Sequence, residues 1–165
     1  MAATAPAQIS GIRREKETVC QTLSPRETTV LPFANITAEG MGSADTLRQG
    51  YASLRPAGED ETFFYLLLTV QNTADTPLTL RTSSIPCQIT FDETRTFPGQ
   101  THCFSGRTFL PGSTHRVYLF APVPKSVAAN YTSVTVRFSL QENFSAANAD
   151  APDYEFTCTH EKNHP

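Results

Sequence analysis

The chain of 165 residues contains no tryptophan, and its four cysteines include no C-x-x-C pair. The first absence excludes the antibody-type arrangement of inter-sheet cysteines packed on a strand tryptophan. The second excludes a thioredoxin-like redox motif and the closely spaced ligand pairs of structural zinc sites. No Lys/Arg block occurs, and 13 Lys+Arg against 16 Asp+Glu leave a formal net charge of −3. Nucleic-acid and anionic-membrane surfaces need a basic stripe, so no nucleic-acid partner is expected. Arg13, Arg14 and Lys16 alternate with Glu15 and Glu17 and read as part of a solvated N-terminal arm.

Long hydrophobic runs are missing too. The most apolar stretch, "FFYLLLTV" at Phe63–Val70, falls far short of the ~20 apolar residues that a helix needs to span a bilayer. No transmembrane segment is expected. The opening "MAATAPAQIS" lacks the basic n-region and apolar h-region of a signal peptide. It reads as a start methionine on a mature or trimmed N-terminus. Cys20, in "ETVC", lacks the preceding apolar run of a lipid-anchor site.

Motifs for chemistry are equally sparse. His102, His115, His160 and His164 have no G-x-S-x-G elbow beside them, and the first two read as surface residues of hairpins. "CTHEKNH" brings Cys158, His160 and His164 together at the end of the chain, but without a fourth ligand it reads as a strand end plus tail. Asp92 and Glu93 lack D-x-D-x-D spacing and read as solvated acids on a type I turn. "EGMGSADTLRQG", residues 39–50, is no phosphate loop, because no Lys-Ser/Thr follows its glycines. It reads as a long loop. No enzymatic role, cofactor or metal is expected.

What the chain does have is alternation. Val134, Val136, Phe138 and Leu140 share one face of "VTVRFSL", and Thr135, Arg137 and Ser139 share the other. "YEFTC" sets Tyr154, Phe156 and Cys158 together, and "CQITF" does the same for Cys87, Ile89 and Phe91. This is the pattern of antiparallel strands with one face on a core and one in water. Phe63–Val70 is apolar on both faces, so that strand is expected at the centre of its sheet or covered on both sides. Turns are marked by "QNTADTP", "RPAGEDE", "FDETRTFPGQ" and "FLPGSTH". Strands are expected near 28–37, 50–54, 61–71, 77–83, 86–91, 101–104, 107–110, 114–121, 132–141 and 153–159, with one short helix at 123–131 started by Pro124. The fold expected is all-β, an immunoglobulin-like antiparallel sandwich in one domain over residues 18–159, with flexible ends at 1–17 and 160–165.

Two disulfides in an oxidising compartment are favoured over four buried free thiols. Of three connectivities, Cys87–Cys103 would staple a local hairpin and Cys20–Cys158 would tie the two ends of the domain. Sequons stand at Asn35, Asn130 and Asn143 in a chain rich in Ser and Thr.

Taken in order, "YLLLTVQNTADTPLTL", "RTFLPGSTHRVYLFAPVPKSV" and "YTSVTVRFSL" resemble the bacterial immunoglobulin-like extracytoplasmic domains typified by the mycobacterial immunoprotective extracellular protein. Asn72, Pro111, Gly112, Val123 and Pro124 occupy the family's turn positions over roughly residues 28–140. The resemblance implies a secreted or lipid-anchored protein with no established catalytic residues, and a periplasmic or secreted location is expected.

Function is accordingly expected to be non-enzymatic: an extracytoplasmic module that binds a protein through loops or a sheet edge. The alternative is a periplasmic inhibitor or immunity protein that blocks a secreted toxin or hydrolase. The segments expected to carry contact are 39–50, the 92–102 hairpin tip (Asp92, Glu93, Arg95, Phe97, His102) and 142–152 around Phe144. Phe97 and Phe144 are read either as exposed anchors or as caps on the ends of the core.

Overall fold

A computed structural model of the chain describes residues 19–22, 24–49, 52–55, 58–80, 85–141, 144 and 154–162, with the backbone alone at Val19–Gln21 and Ala52. Its strands are β1 (Val19–Thr22), β2 (Thr28–Val30), β3 (Ala34–Ala44), β4 (Leu47–Gln49), β5 (Ala52–Leu54), β6 (Glu61–Asn72) and β7 (Leu78–Thr79). They continue as β8 (Cys87–Phe91), β9 (Arg95–Pro98), β10 (Gln100–His102), β11 (Thr108–Phe109), β12 (Thr114–Pro124), β13 (Ser133–Leu140) and β14 (Tyr154–Glu161). One helix, α1 (Lys125–Asn130), follows Pro124 at its N-cap, where a residue with fixed φ and no N–H is at little disadvantage. Two five-stranded sheets form the sandwich, ordered β1-β14-β13-β8-β9 and β10-β12-β6-β3-β2. The ladders are antiparallel except at β1, which runs parallel to β14.

The alternating runs face as their period requires. Val134, Val136, Phe138, Leu140, Phe156, Cys158, Cys87, Ile89 and Phe91 are all buried between the sheets. From the opposite sheet they meet Phe64, Leu66, Leu68 and Val70 of β6 and Val117, Leu119, Ala121 and Val123 of β12. Aromatic rings meet edge to face here, as in Phe64 against Phe91 at 5.1 Å, a packing that adds ~0.5–1.5 kcal/mol to area burial.

β6 is apolar on both faces because both are covered. Its second face carries Phe63, Tyr65 and Leu67, which join Tyr118 and Phe120 of β12 in a separate cluster on the outside of the sandwich. The β4–β5 hairpin folds back over this cluster with Leu47 and Leu54. Residues 39–50 are therefore mostly strand rather than loop: β3 runs on to Ala44, and β4 begins at Leu47. Opposite Leu67, Tyr65 and Phe63, β3 offers only Gly40, Gly42 and Ala44, and the Tyr65 ring lies along Gly42.

The expected disulfides do not form. Cys87, Cys103 and Cys158 are buried free thiols. The β1–β14 register sets Cys20 opposite Glu155, three residues short of Cys158. At ~3.3 Å per residue that is a separation of roughly 10 Å along the strand, beyond disulfide reach. The Cys20 side chain itself lies outside the described residues. Burial pushes the Cys87 thiol up to about 12 and raises that of Cys158, because a thiolate has no solvation there. The strand β14 also runs on through His160 and Glu161, residues assigned to the tail from sequence.

Candidate functional site

Each seam of the sandwich is crossed by chain that changes sheets. At one seam β9 passes through Gly99 directly into β10 of the other sheet. The Gly99 N–H donates to the Cys87 carbonyl at 2.9 Å. A Cβ at Gly99 would lie well inside contact distance of Cys87 Sγ, so a larger residue fits only if the thiol shifts. This seam is tight.

The other seam is not. There β1 crosses to β2 near Pro25, which bridges Ala38, and the Arg26 N–H donates to the Ala38 carbonyl at 2.8 Å. Beyond that point each sheet lacks an outer neighbour among the described residues. The β1 pairing ends at Thr22 opposite Thr157, while β14 continues to Glu161. The β2 pairing covers only Asn35–Thr37 of β3, while β3 continues to Ala44. Between these two bare edges lies a cleft of about 210 Å³ lined by Ala38, Gly40, Met41 and Leu66 from one sheet and Cys158 and His160 from the other.

The backbone groups that β3 turns outward can be assigned. Alternate residues of a strand direct N–H and C=O to the same side. The carbonyls of Ala34 and Ala38 point away from β6, accepting from Leu31 and Arg26. A register shift between Ala38 and Gly40 changes the parity, and pairing opposite Leu66 and Phe64 carries the outward set on to Met41 and Ser43. The other edges are short or blunted: β2 and β10 have three residues each, and β9 carries Arg95 and Pro98.

A polar cluster closes one end of the sandwich. Asn72 is fully buried. Its Nδ2 donates to the carbonyls of Phe109 at 2.8 Å and Thr76 at 3.0 Å, and its Oδ1 accepts from the Ala74 N–H at 2.8 Å. The Asn72 carbonyl accepts from Gly112, whose φ of 82° completes the Leu110–Ser113 turn. Beside it, His115 stacks on Phe109 with centroids 4.0 Å apart. Ser113 donates to the Leu110 carbonyl at 2.6 Å, so it accepts from His115 Nε2 at 3.0 Å, and Nδ1 is left to accept from Ser105 at 2.7 Å. Cys103 Sγ lies 3.2 Å from the same Ser105 hydroxyl. Burial lowers the His115 pKa, consistent with a neutral ring in this chain of donors.

The residues expected from sequence to form a contact surface are dispersed. Asp92 is a clamp: its Oδ1 accepts from the N–H groups of Thr132 and Ser133 at 2.8 and 2.9 Å, tying the β8–β9 turn to the start of β13. That turn has φ of 52° at Asp92 and 62° at Glu93, the signs of a type I′ turn rather than type I. Asp92 is thus more than a solvated acid. Arg95 is exposed, and Phe97 packs half-buried on Phe91. His102 belongs to the outer face of the other sheet, edge-on to Phe104 at 4.4 Å, with its pKa lowered by burial and then by Arg107. Phe144 is no exposed anchor. It is 1% exposed, follows the far end of β13 from Asp92, and packs against Phe33 and Phe109. The remainder of 142–152 lies outside the described residues. Among the sequons, Asn35 is half-buried and donates to Gln71, Asn130 is exposed, and Asn143 is not described.

Sequence reasoning missed the β3 edge and the His115 chain. The edge was hidden because Gly40 and Gly42 give no side-chain alternation. The second had a signal: Cys103-x-Ser105 and Ser113-x-His115 place hydrogen-bonding residues at strand spacing on two neighbouring segments. Among the described residues, no group of three or more His, Cys, Asp or Glu is placed to hold a metal ion, and no helix is long and apolar enough to cross a membrane.

Comparison with known proteins defines the class. No protein-family model matches the chain, and no curated protein matches it. An uncharacterized β-sandwich protein from Clostridium difficile 630 superposes with a TM-score of 0.61 at 12% identity, covering 92% of this chain and all 100% of the other. A conserved hypothetical protein from Bacillus anthracis has a TM-score of 0.46 at 10% identity, covering 70% of this chain and 89% of the other. A putative lipoprotein from Bacillus subtilis gives 0.48 at 14% identity, with 86% of this chain and 40% of that one covered. The first likeness establishes the class, a β-sandwich, and at this identity it carries the fold alone.

Proposed function

We propose that the chain is a non-enzymatic protein-binding module whose contact surface is the free edge of β3 from Glu39 to Ala44. The observation that supports this reading is the outward backbone of Met41 and Ser43, unpaired among the described residues and flanked by glycines. Natural edges are blunted by proline, charge, bulges or short length; past the bulge between Ala38 and Gly40 and the charge of Glu39, Gly40–Ala44 carries neither proline nor charge. An extended segment of another protein would add to the sheet there, with main-chain hydrogen bonds for affinity and side-chain pockets for specificity. A periplasmic or secreted location and an immunoglobulin-like strand arrangement belong to the same reading and rest on the sequence resemblance.

The test is a comparison of captured partners. Ser43→Pro removes an outward N–H that β6 does not use, and proline is tolerated at a sheet edge. Wild-type protein immobilised in an extracytoplasmic extract should retain a partner that Ser43→Pro loses and that Leu110→Ser, altered at the exposed tip of the opposite turn, keeps. Equal retention by all three would remove the β3 edge from consideration.

A further inference from the structure

Resting on that reading of the edge, we infer that the segment received by β3 is a strand of alternating polar and apolar residues that inserts one bulky apolar side chain between the sheets. The edge and the cleft are separate observations that coincide in space. Met41 turns its backbone outward and its side chain inward, opposite Leu66, and both residues line the 210 Å³ cleft. A strand laid along Met41 and Ser43 continues the pleat, so its alternate side chains enter the same space that Met41 faces.

The cleft suits an apolar group. Its walls are Pro25, Ala38, Met41, Leu66 and Cys158, with the exposed Thr159 and His160 at the rim. The Cys158 thiol is held neutral by its burial, so the floor carries no charge. The volume corresponds to about seven waters at ~30 Å³ each, enough for a side chain of leucine or phenylalanine size. Across the ladder, Gly40 and Gly42 present no bulk on the other face. Glu39 is exposed at the start of the free edge and favours a basic residue on the incoming strand.

The experiment uses the full chain and blocked nine-residue peptides of alternating threonine and valine with a lysine at each end. One inward position is varied through glycine, alanine, valine, leucine and phenylalanine. Affinity is read by fluorescence anisotropy, and the site by backbone amide shifts in NMR spectra. Shifts at Glu39–Ala44 and at the Met41 methyl, with leucine or phenylalanine bound at least about tenfold tighter than glycine, are the expected result. Shifts at the edge with equal affinity for every peptide would leave edge pairing standing and overturn the insertion. Absence of edge shifts with all five peptides would overturn both. Slow hydrogen exchange at Met41 and Ser43 in the unliganded protein would mean that residues of this chain already occupy the edge, and would likewise overturn both.

Discussion

Replacing Asn72 by alanine removes three side-chain hydrogen bonds from a site closed to water. At a net ~1 kcal/mol each the loss is about 3 kcal/mol, rising toward 5 if the carbonyls of Phe109 and Thr76 find no replacement donor. For a chain of this length ~2–4 °C of melting temperature accompany each kcal/mol, so a fall of roughly 6–12 °C is expected. Urea unfolding gives the free energy directly. Because the chain has no Trp and five Tyr, circular dichroism or tyrosine emission must serve as the probe. Asn72→Asp separates packing from hydrogen bonding, since it keeps the shape and the acceptor for Ala74. A carboxylate there faces two carbonyl oxygens, so its folded pKa must rise above the unfolded value of ~3.9. The aspartate variant should therefore be at least as destabilised as the alanine variant at pH 7. It should recover part of the difference as pH falls through the raised pKa toward 4. A loss below 1 kcal/mol in both variants would refute the view that Asn72 organises this end of the sandwich.

Other consequences are smaller in scope. Gly99→Ala should cost about 1–3 kcal/mol by overpacking Cys87. Adding Cys87→Ala should return part of that loss, and strict additivity of the two in urea unfolding would contradict the contact. Glu93→Gly should stabilise by up to ~1 kcal/mol, because glycine occupies the left-handed region without a Cβ penalty. Asp92→Gly should not, as it loses the clamp on Thr132 and Ser133. The lowered His115 pKa means that the unfolded chain takes up a proton first, so the contribution is present above ~6.5 and lost as pH falls through the folded value. His115→Gln should flatten the decline in stability between pH 7 and 5, and an unchanged slope would argue against the half-buried neutral ring. At pH 8 the native protein should leave Cys87 unalkylated by iodoacetamide until denaturant is added, as read by intact mass.

The strands with bulky alternating residues were legible from sequence, and so was α1 behind Pro124. β6 was also readable as a strand covered on both faces, since nothing but burial rationalises Phe63, Tyr65 and Leu67 opposite Phe64, Leu66 and Leu68. What covers it was not readable, because β4 and β5 are short and each contributes one leucine to the outer cluster. The β3 edge failed for a different reason. Glycine carries no pattern, and Gly40 and Gly42 became strand only through pairing with Leu67 and Tyr65. Local propensity gives way here to tertiary context. The Cys20–Cys158 pairing failed because it needed the parallel register of β1 on β14, a long-range fact. Phe144 shows the same limit, being a loop residue by its neighbours and a core residue by its contacts with Phe33 and Phe109.

The crossings at the two seams have a mechanical side. In a sandwich held by packing alone, a force normal to the sheets separates them by exposing side chains a few at a time. Here the covalent chain spans both seams, through Gly99 on one side and near Pro25 on the other. Pulling the sheets apart therefore loads the backbone at both margins, and neither sheet can detach whole without first stripping its own edge strand from its neighbour. Rupture should begin where an edge strand leaves its own sheet, at β9–β8 or β10–β12 on one side and at β1–β14 or β2–β3 on the other.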